Sequence, residues 1–159
     1  MRQRDEAFEM FFLAEHGSVL RTVQLILGDR QAAEDATQEA FYRLLIHWRK
    51  VSQYERPGAW VRRVAIRIAT RARGAKRYAE MEPAAGGLES SARLDLQRAL
   101  RGLSPAQRTA VILFYYEDHP VGEVASLMEC SDGAVKTHLH RARKRLAEVL
   151  GEELDDVSR

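Results

Sequence analysis

The chain has 159 residues, of which 45% are hydrophobic and 30% charged, so it can bury one ordinary core or two very small ones. Its single cysteine excludes an intrachain disulfide framework, and no apolar run approaches the roughly 20 residues that a membrane-spanning helix needs. Four prolines and the lack of long alternating Val/Ile/Thr runs favour a mostly helical protein, whose net charge is +2. The charged start (Arg2, Arg4, Asp5) is unlike a signal peptide, which favours the cytoplasm.

Two amphipathic helices are predicted at the start of the chain. Apolar residues recur at helical spacing over about residues 6–27, and Gly28 ends this first helix. Asp29 can cap a second helix over about 30–50. A helix turns about 100° per residue, so one side of the second helix mixes polar, aromatic and aliphatic groups, namely Asp35, Gln38, Glu39, Tyr42 and Ile46. This side suits a binding partner, although Tyr42 and Ile46 could instead pack on another helix of the same domain.

A third helix is predicted over about residues 57–77, within a segment (51–78) that carries eight Lys or Arg and one Glu. Its predicted buried stripe is Val61, Val64, Ala65, Ile68 and Ala72. The predicted opposite side carries Arg62, Arg63, Thr70, Arg73 and Arg77, and one flank carries Trp60 and Arg67. Such an arginine face can hold a phosphate backbone, because guanidinium groups offer forked, charged donors. A core position remains the alternative for Trp60.

Residues 78–91 are rich in proline, glycine and serine and lack helical periodicity, which predicts a linker. Fully extended, these residues reach at most about 45–50 Å. This length exceeds the roughly 34 Å between successive major-groove faces of duplex DNA, so two domains could hold separate sites on one duplex.

The second half ends in a pattern typical of a helix-turn-helix. Ser104 and Gln107 predict a capping box at the start of one helix. A short helix follows at about 120–128, and Ser131 caps a last helix that runs to about residue 150. The predicted outward side of this last helix carries Gly133, Lys136, Thr137, His140, Arg141 and Lys144.

Early residues of a recognition helix meet base edges in the major groove. Lys136 and Thr137 are therefore predicted to contact bases, whereas Arg141 and Lys144 are better placed for phosphates. The alternative is an ordinary helical hairpin.

Four segments of the chain resemble, in order, the extracytoplasmic-function (ECF) sigma factors of bacterial RNA polymerase. The segment that docks on polymerase in that family is similar to AAEDATQEAFYRLLIHW, and the helix that opens and reads the −10 element is similar to RPGAWVRRVAIRIATRARGAKR. The promoter-reading helix-turn-helix is similar to VGEVASLMECSDGAVKTHLHRARKRL, and the helices before it resemble LRGLSPAQRTAVILFYYED. The resemblance covers about residues 5–150.

The resemblance implies an all-α fold of two small helical domains joined by a flexible linker, the second ending in the helix-turn-helix. Residues 1–77 would form a region 2-like domain and 92–150 a region 4-like domain. The linker would occupy 78–91, and an acidic tail would follow at 151–159.

Three sets of site residues follow from the resemblance. Core polymerase would be bound by Asp35, Gln38, Glu39 and Tyr42. The −10 element would be contacted by Trp60, Arg62, Arg63, Arg67 and Thr70. The −35 element would be contacted by Gly133, Lys136, Thr137, His140, Arg141 and Lys144.

The implied function is to bind core RNA polymerase and to direct promoter recognition and DNA opening. The implied partners are promoter DNA and the β′ clamp helices and β flap of polymerase, with an anti-sigma factor as a further candidate. We expect no membrane contact, cofactor, metal or catalytic residue. The main alternative is a stand-alone helix-turn-helix regulator, which would bind duplex DNA without polymerase.

An enzyme is not expected. Neighbouring acids such as Glu34 and Asp35 do not face one another on a helix, and His138 and His140 diverge instead of sharing a metal. The sequence also lacks a phosphate-binding loop or a nucleophile motif.

Overall fold

The computed structural model describes residues 2–75 and 98–150, and all regular structure in these ranges is helical. The predicted all-α class is confirmed. The chain divides into two compact units, Met1–Arg77 and Tyr78–Arg159. None of the helices described is long and apolar enough to cross a membrane.

The first unit contains α1 (Arg2–Leu27), α2 (Arg30–Val51) and α3 (Pro57–Ala75), and each helix packs against the other two. The helix bounds predicted from the sequence agree with these to within a few residues, except that α1 begins about one turn earlier than predicted. Gly28 separates α1 from α2 with a φ of 70°, and its N–H donates to the carbonyl of Gln24 at 2.8 Å. This left-handed conformation is the usual glycine stop of a helix.

Asp29 caps α2 as the sequence predicts. Its Oδ1 accepts hydrogen bonds from the backbone N–H of Gln31 at 2.9 Å and of Ala32 at 3.3 Å. Two of the backbone donors that a helix start leaves unpaired are thereby satisfied. The short connection between α1 and α2 is therefore defined by local chemistry at both ends.

Aromatic side chains join α1 to α2. Phe8 and Phe11 pack against Trp48, with ring centroids 5.4 and 5.2 Å apart. Phe12 packs edge-on against Phe41 at 5.0 Å. Trp48 and Phe41 are buried, whereas the three phenylalanine rings are half-buried against them.

The buried side of α3 is rotated from the predicted one. Val61, Ala65, Ile66 and Ala69 are buried, whereas Val64 and Ile68 are only half-buried and Ala72 is exposed. The predicted stripe was therefore wrong at Val64, Ile68 and Ala72. The reason is tertiary: α3 lies against both α1 and α2, so its buried side is centred between the two neighbours.

The second unit contains a helical stretch at 98–101, α4 (Pro105–Val111), α5 (Val121–Met128) and α6 (Asp132–Leu150). The predicted capping box is present at the start of α4. Ser104 Oγ accepts from the backbone N–H of Gln107 at 3.3 Å, and the Ser104 N–H donates to Gln107 Oε1 at 3.2 Å. The core of this unit is aliphatic and is formed by Leu100, Leu103, Leu113, Val124, Leu127, Val135 and Leu139.

A π-helical segment, Ile112–Tyr116, continues α4 and was not predicted. The Glu117 N–H donates to the carbonyl of Ile112 at 3.0 Å, five residues earlier. Ile112 and Leu113 remain buried, while Tyr115 and Tyr116 are exposed. The wider turn carries no distinctive residue type, so a periodicity argument cannot find it.

Replacing either of two glycines in the first unit with alanine should change the free energy of unfolding, and the two changes should have opposite signs. Gly17 lies inside α1, and an added Cβ there meets nothing within 4 Å. Alanine is favoured over glycine in helix interiors by about 0.8–1.0 kcal/mol, so Gly17→Ala should raise the free energy of unfolding by about that much. Gly28→Ala should lower it by about 1–2 kcal/mol, because its φ of 70° is strained for a side chain.

Urea unfolding followed by tryptophan fluorescence measures both effects. Trp48 and Trp60 both lie in the first unit, and the chain has two tryptophans in all, so the signal reports this unit. If the free energy of unfolding changed in the same direction in both variants, the backbone conformations described for Gly17 and Gly28 would be contradicted.

Candidate nucleic-acid and protein interfaces

The predicted polymerase-binding residues share the outward side of α2. Asp35, Gln38 and Glu39 are exposed, and Tyr42 is 58% exposed. Gln31 Nε2 donates to Asp35 Oδ1 at 3.0 Å, and Arg43 Nε donates to Glu39 Oε1 at 3.0 Å. Both carboxylates are thus held by a neighbour one turn away, yet remain accessible to solvent.

Two aliphatic side chains extend this surface. Ile46 is 60% exposed and Leu45 is 52% exposed, next to Tyr42 on the same helix. The alternative that Tyr42 and Ile46 pack within the domain is therefore wrong. Leu45 was missed, although it follows Gln38 by seven residues and therefore lies on nearly the same side of α2. We call the six residues the docking face: Asp35, Gln38, Glu39, Tyr42, Leu45 and Ile46.

The five predicted −10 residues do not share one side of α3. Arg62 is half-buried and faces α1, where its guanidinium donates to Thr22 Oγ1 at 3.1 Å and to Ser18 Oγ. The placement of Arg62 opposite the buried stripe was therefore wrong. Hydroxyl acceptors on α1, which periodicity cannot reveal, draw this arginine towards the core. Thr70 is also half-buried, and its hydroxyl donates to the carbonyl of Arg67 at 3.0 Å.

The remaining three residues lie together on the other flank of α3. Trp60 is half-buried and meets His47 of α2 edge-on, with ring centroids 6.0 Å apart. Arg63 is exposed and Arg67 is half-buried. Arg71, which is not among the predicted site residues, follows at the same spacing and is exposed. The stripe of Trp60, Arg63, Arg67 and Arg71 repeats every three or four residues, a signal already present in the sequence.

A half-open cleft of about 340 Å³ lies between α2 and the part of α3 that carries Arg67 and Arg71. It is lined by Arg43, Val64, Arg67, Ile68 and Arg71. The Nε of Arg67 is buried and has no hydrogen-bond partner among the described residues. A buried donor left unpaired costs about 1–3 kcal/mol.

The turn between α5 and α6 is built from a left-handed cap and a serine. Glu129 ends α5 with a φ of 56°, and the Cys130 N–H donates to the carbonyl of Ala125 at 3.0 Å. Ser131 Oγ then accepts from the Ala134 N–H at 3.1 Å and caps α6 as predicted. Partial burial and then the charge of Asp132 raise the pKa of the Cys130 thiol, so it stays protonated at neutral pH.

The predicted −35 residues all lie on the solvent side of α6. Val135, Leu139 and Ala142 are buried on the opposite side. The exposed set is Gly133, Lys136, Thr137, His140, Arg141 and Lys144. An added Cβ on Gly133 would meet only Ser131 Oγ, at 3.9 Å, so the fold itself does not require glycine there.

One basic residue of α6 contacts another helix of the second unit. Arg143 Nε donates to the Tyr115 hydroxyl at 2.6 Å, and its guanidinium carbon lies 5.7 Å from the centroid of that ring. This contact ties α6 to the π-helical segment. The charge run in α6 thus contains both a structural arginine and solvent-facing cations.

Comparison with known proteins gives matches in both units. The sigma-70 region 2 family model matches residues 11–78, and the sigma-70 region 4 family model matches residues 93–146. The RNA polymerase sigma-E factor of Streptomyces coelicolor is 30% identical over 151 residues, which cover 90% of this chain and 85% of that protein. The ECF RNA polymerase sigma factor SigM of Mycobacterium tuberculosis is 28% identical over 155 residues, covering 91% and 78%.

The fold is also similar to that of a solved structure, the sigma factor RpoE of Bartonella quintana in complex with the anti-sigma factor NepR. The TM-score is 0.65 at 21% identity, over 93% of this chain and 99% of that one. The region 2 match falls on the first compact unit of the chain, and the region 4 match falls on the second. The chain belongs to the sigma-70 family of RNA polymerase sigma factors, within the ECF group.

Proposed function

We propose that this sigma factor binds core RNA polymerase through α2, directs it to promoters and assists DNA opening, with each unit contacting one promoter element. The observation that carries the proposal is the exposure of the docking face on α2 and of the basic side of α6 in one chain. Neither surface contains a catalytic constellation. The protein acts by binding and positioning.

The docking face has the composition of a protein interface. Tyr42, Leu45 and Ile46 are large apolar side chains that the first core does not bury. Asp35, Gln38 and Glu39 lie on the preceding turns and add polar and charged groups. Apolar anchors within a polar rim are typical of protein contacts. We assign this face to the β′ clamp helices of polymerase.

The α3 stripe is assigned to the −10 element. Arg63 is exposed for contact with DNA, and Trp60 offers an aromatic surface beside His47. Unstacked bases of a melted strand are commonly held by aromatic stacking together with cationic groups. Arg62 is not included in this assignment, because its guanidinium is bound to α1.

The outward side of α6 is assigned to the −35 element in the major groove. Gly133, Lys136 and Thr137 lie in the first two turns, where a recognition helix meets base edges. Thr137 Oγ1 donates to the Gly133 carbonyl at 3.0 Å, which leaves its lone pairs free to accept from a base. Arg141 and Lys144 lie further along the helix and are assigned to phosphates.

Two weak DNA contacts become strong when polymerase holds both units. Without polymerase, contacts between the basic faces of this protein and DNA phosphates are sensitive to salt and largely nonspecific. Attachment to one large partner raises the effective concentration of the second contact once the first has formed. We assign DNA binding on this basis to the polymerase-bound protein in the cytoplasm.

An anti-sigma factor is a further proposed partner. The Bartonella quintana sigma factor is in complex with the anti-sigma factor NepR. The exposed apolar residues of the docking face in this chain would suit a protein that competes with polymerase. The β flap of polymerase is the corresponding proposed partner of the second unit.

Polymerase binding tests the assignment of the docking face. Replacing both Gln38 and Glu39 with alanine should weaken binding to core polymerase by about ten-fold or more, equivalent to about 1.4 kcal/mol. The same full-length variant should bind duplex DNA as the unaltered chain does. Alanine at Glu6 and Glu9, two exposed acids on α1, is the matched control and should leave polymerase binding unchanged.

In vitro transcription with core polymerase and a promoter library completes this test. A chain that fails to bind polymerase but binds a palindromic duplex tightly as a dimer is a stand-alone regulator, which contradicts the proposal. Equal loss of polymerase and duplex binding in the double variant contradicts the division of labour between the units.

Alanine at two matched glycines tests the −35 assignment. Gly122 and Gly133 are each the second residue of their helix, are exposed, and have open space where a Cβ would stand. Gly133→Ala should weaken duplex binding by about three- to ten-fold, because the new methyl obstructs close approach of DNA. Gly122→Ala should stay within about two-fold. Thermal melts should show that neither variant loses stability, and similar duplex affinities would refute the close approach at Gly133.

A further inference from the structure

The side of α1 that faces away from the first core carries exposed apolar residues. Met10 is 72% exposed and Leu13 is 73% exposed, more than any other large apolar side chain in the described ranges. Val19, Val23 and Ile26 are buried on the opposite side of the helix. Because a helix turns about 100° per residue, Met10 and Leu13 share a stripe about 100° wide with four further exposed residues. We call the six residues the outer stripe: Glu6, Met10, Leu13, Ala14, Gly17 and Arg21.

The apolar part of the outer stripe is complementary to itself when its direction is reversed. An antiparallel copy that is aligned about the midpoint between Leu13 and Ala14 places each large residue beside a small one. Met10 then faces Gly17 of the copy, and Leu13 faces Ala14 of the copy. Large residues that alternate with small ones allow two helices to interdigitate. The stripe therefore fits a second helix of the same sequence.

The charged ends of the outer stripe obey the same alignment. It places Glu6 of one copy beside Arg21 of the other, and the two-fold symmetry repeats this contact at the opposite end. Arg21 Nε donates to the carbonyl of Gly17 at 3.3 Å, and the guanidinium group has four further N–H donors. Glu6 and Arg21 are 15 residues apart on one helix, about 22 Å along its axis, so they cannot meet within one chain.

Gly17 is a residue that the fold of one chain does not explain. Glycine is less favourable than alanine in a helix interior, and a Cβ added at Gly17 would meet nothing within 4 Å. A glycine does allow another molecule to approach the helix backbone closely. In the antiparallel alignment, the residue that approaches Gly17 is the long, adaptable side chain of Met10.

We propose that two copies of this chain associate through the outer stripe as an antiparallel pair of α1 helices. The self-complementary order of large, small and charged residues identifies the partner as a second copy. Such a contact uses the same patch on both copies, so the assembly closes as a dimer. The stripe is small, so the dimer is transient and depends on concentration. The proposal does not rest on the assignment of the docking face, which lies on α2.

Sedimentation velocity of the full-length chain, from about 1 μM to about 1 mM, tests the association over the range in which weak complexes dissociate. The unaltered chain should show a monomer–dimer equilibrium. Leu13→Gln should weaken the association about five-fold or more, because the apolar area that the contact buries is lost. A chain that stays monomeric throughout this range, or a dimer that Leu13→Gln leaves unchanged, would overturn the proposal.

Charge reversal tests the antiparallel alignment. Glu6→Arg and Arg21→Glu each place like charges together at both ends of the pair, so each should weaken self-association about five-fold or more. An equimolar mixture of the two variants should associate as well as the unaltered chain, because each end of the mixed pair joins acids to bases. Recovery on mixing cannot come from a contact within one chain. Without recovery, the proposed alignment is wrong.

Glu9→Arg is the matched control for Glu6→Arg. Glu9 is also an exposed acid on α1, but it lies about 90° from the centre of the outer stripe. The two substitutions change the net charge by the same amount, and Glu9→Arg should keep the association within about two-fold. Equal weakening by the two would assign the effect to net charge and overturn the proposal. Thermal melts should be alike for all of these variants, because the substituted side chains are exposed.

Discussion

The packing of α1 aromatic rings against α2 is the contact on which the first unit depends. Phe8, Phe11 and Phe12 bury Trp48 and Phe41, and this fixes the rotation of α2 about its own axis. A helix of 3.6 residues per turn that buries this side must turn Tyr42 and Ile46 to solvent. The docking face is therefore a consequence of the core and needs no loop or separate scaffold.

Arginine serves two opposite purposes within one helix. Arg62 reaches the hydroxyls of Ser18 and Thr22 and holds α3 against α1. Arg67 and Arg71 point to the other flank and line the cleft beside α2. The difference lies in what each neighbouring helix offers, since α1 supplies acceptors whereas the α2 side of the cleft supplies another cation. An arginine bound to α1 and an arginine that lines the cleft beside α2 are therefore only five residues apart on α3.

Short-range contacts set the position of α6 in the second unit. The left-handed Glu129 and the Ser131 cap end one helix and start the next within two residues. Arg143 and Tyr115 then tie α6 to the π-helical segment, far along the chain. These contacts orient the outward side of α6 while leaving its first two turns unobstructed. Units this small bury a modest fraction of their surface, so a large share of each helix remains available for partners.

The sequence by itself determined the helices, their caps and the outward sides of α2 and α6. Asp29, Ser104 and Ser131 are local signals that act within one turn, and α2 and α6 each show a clear division between buried and polar sides. Only the tertiary structure decided which residues of α3 are buried, and only it revealed the π-helical segment. Periodicity tells which side of a helix is apolar, but not which neighbour covers each flank, and α3 has two neighbours. The inward turn of Arg62 and the meeting of Arg43 with Arg67 and Arg71 depend on contacts between residues far apart in the chain, which only the folded packing brings together.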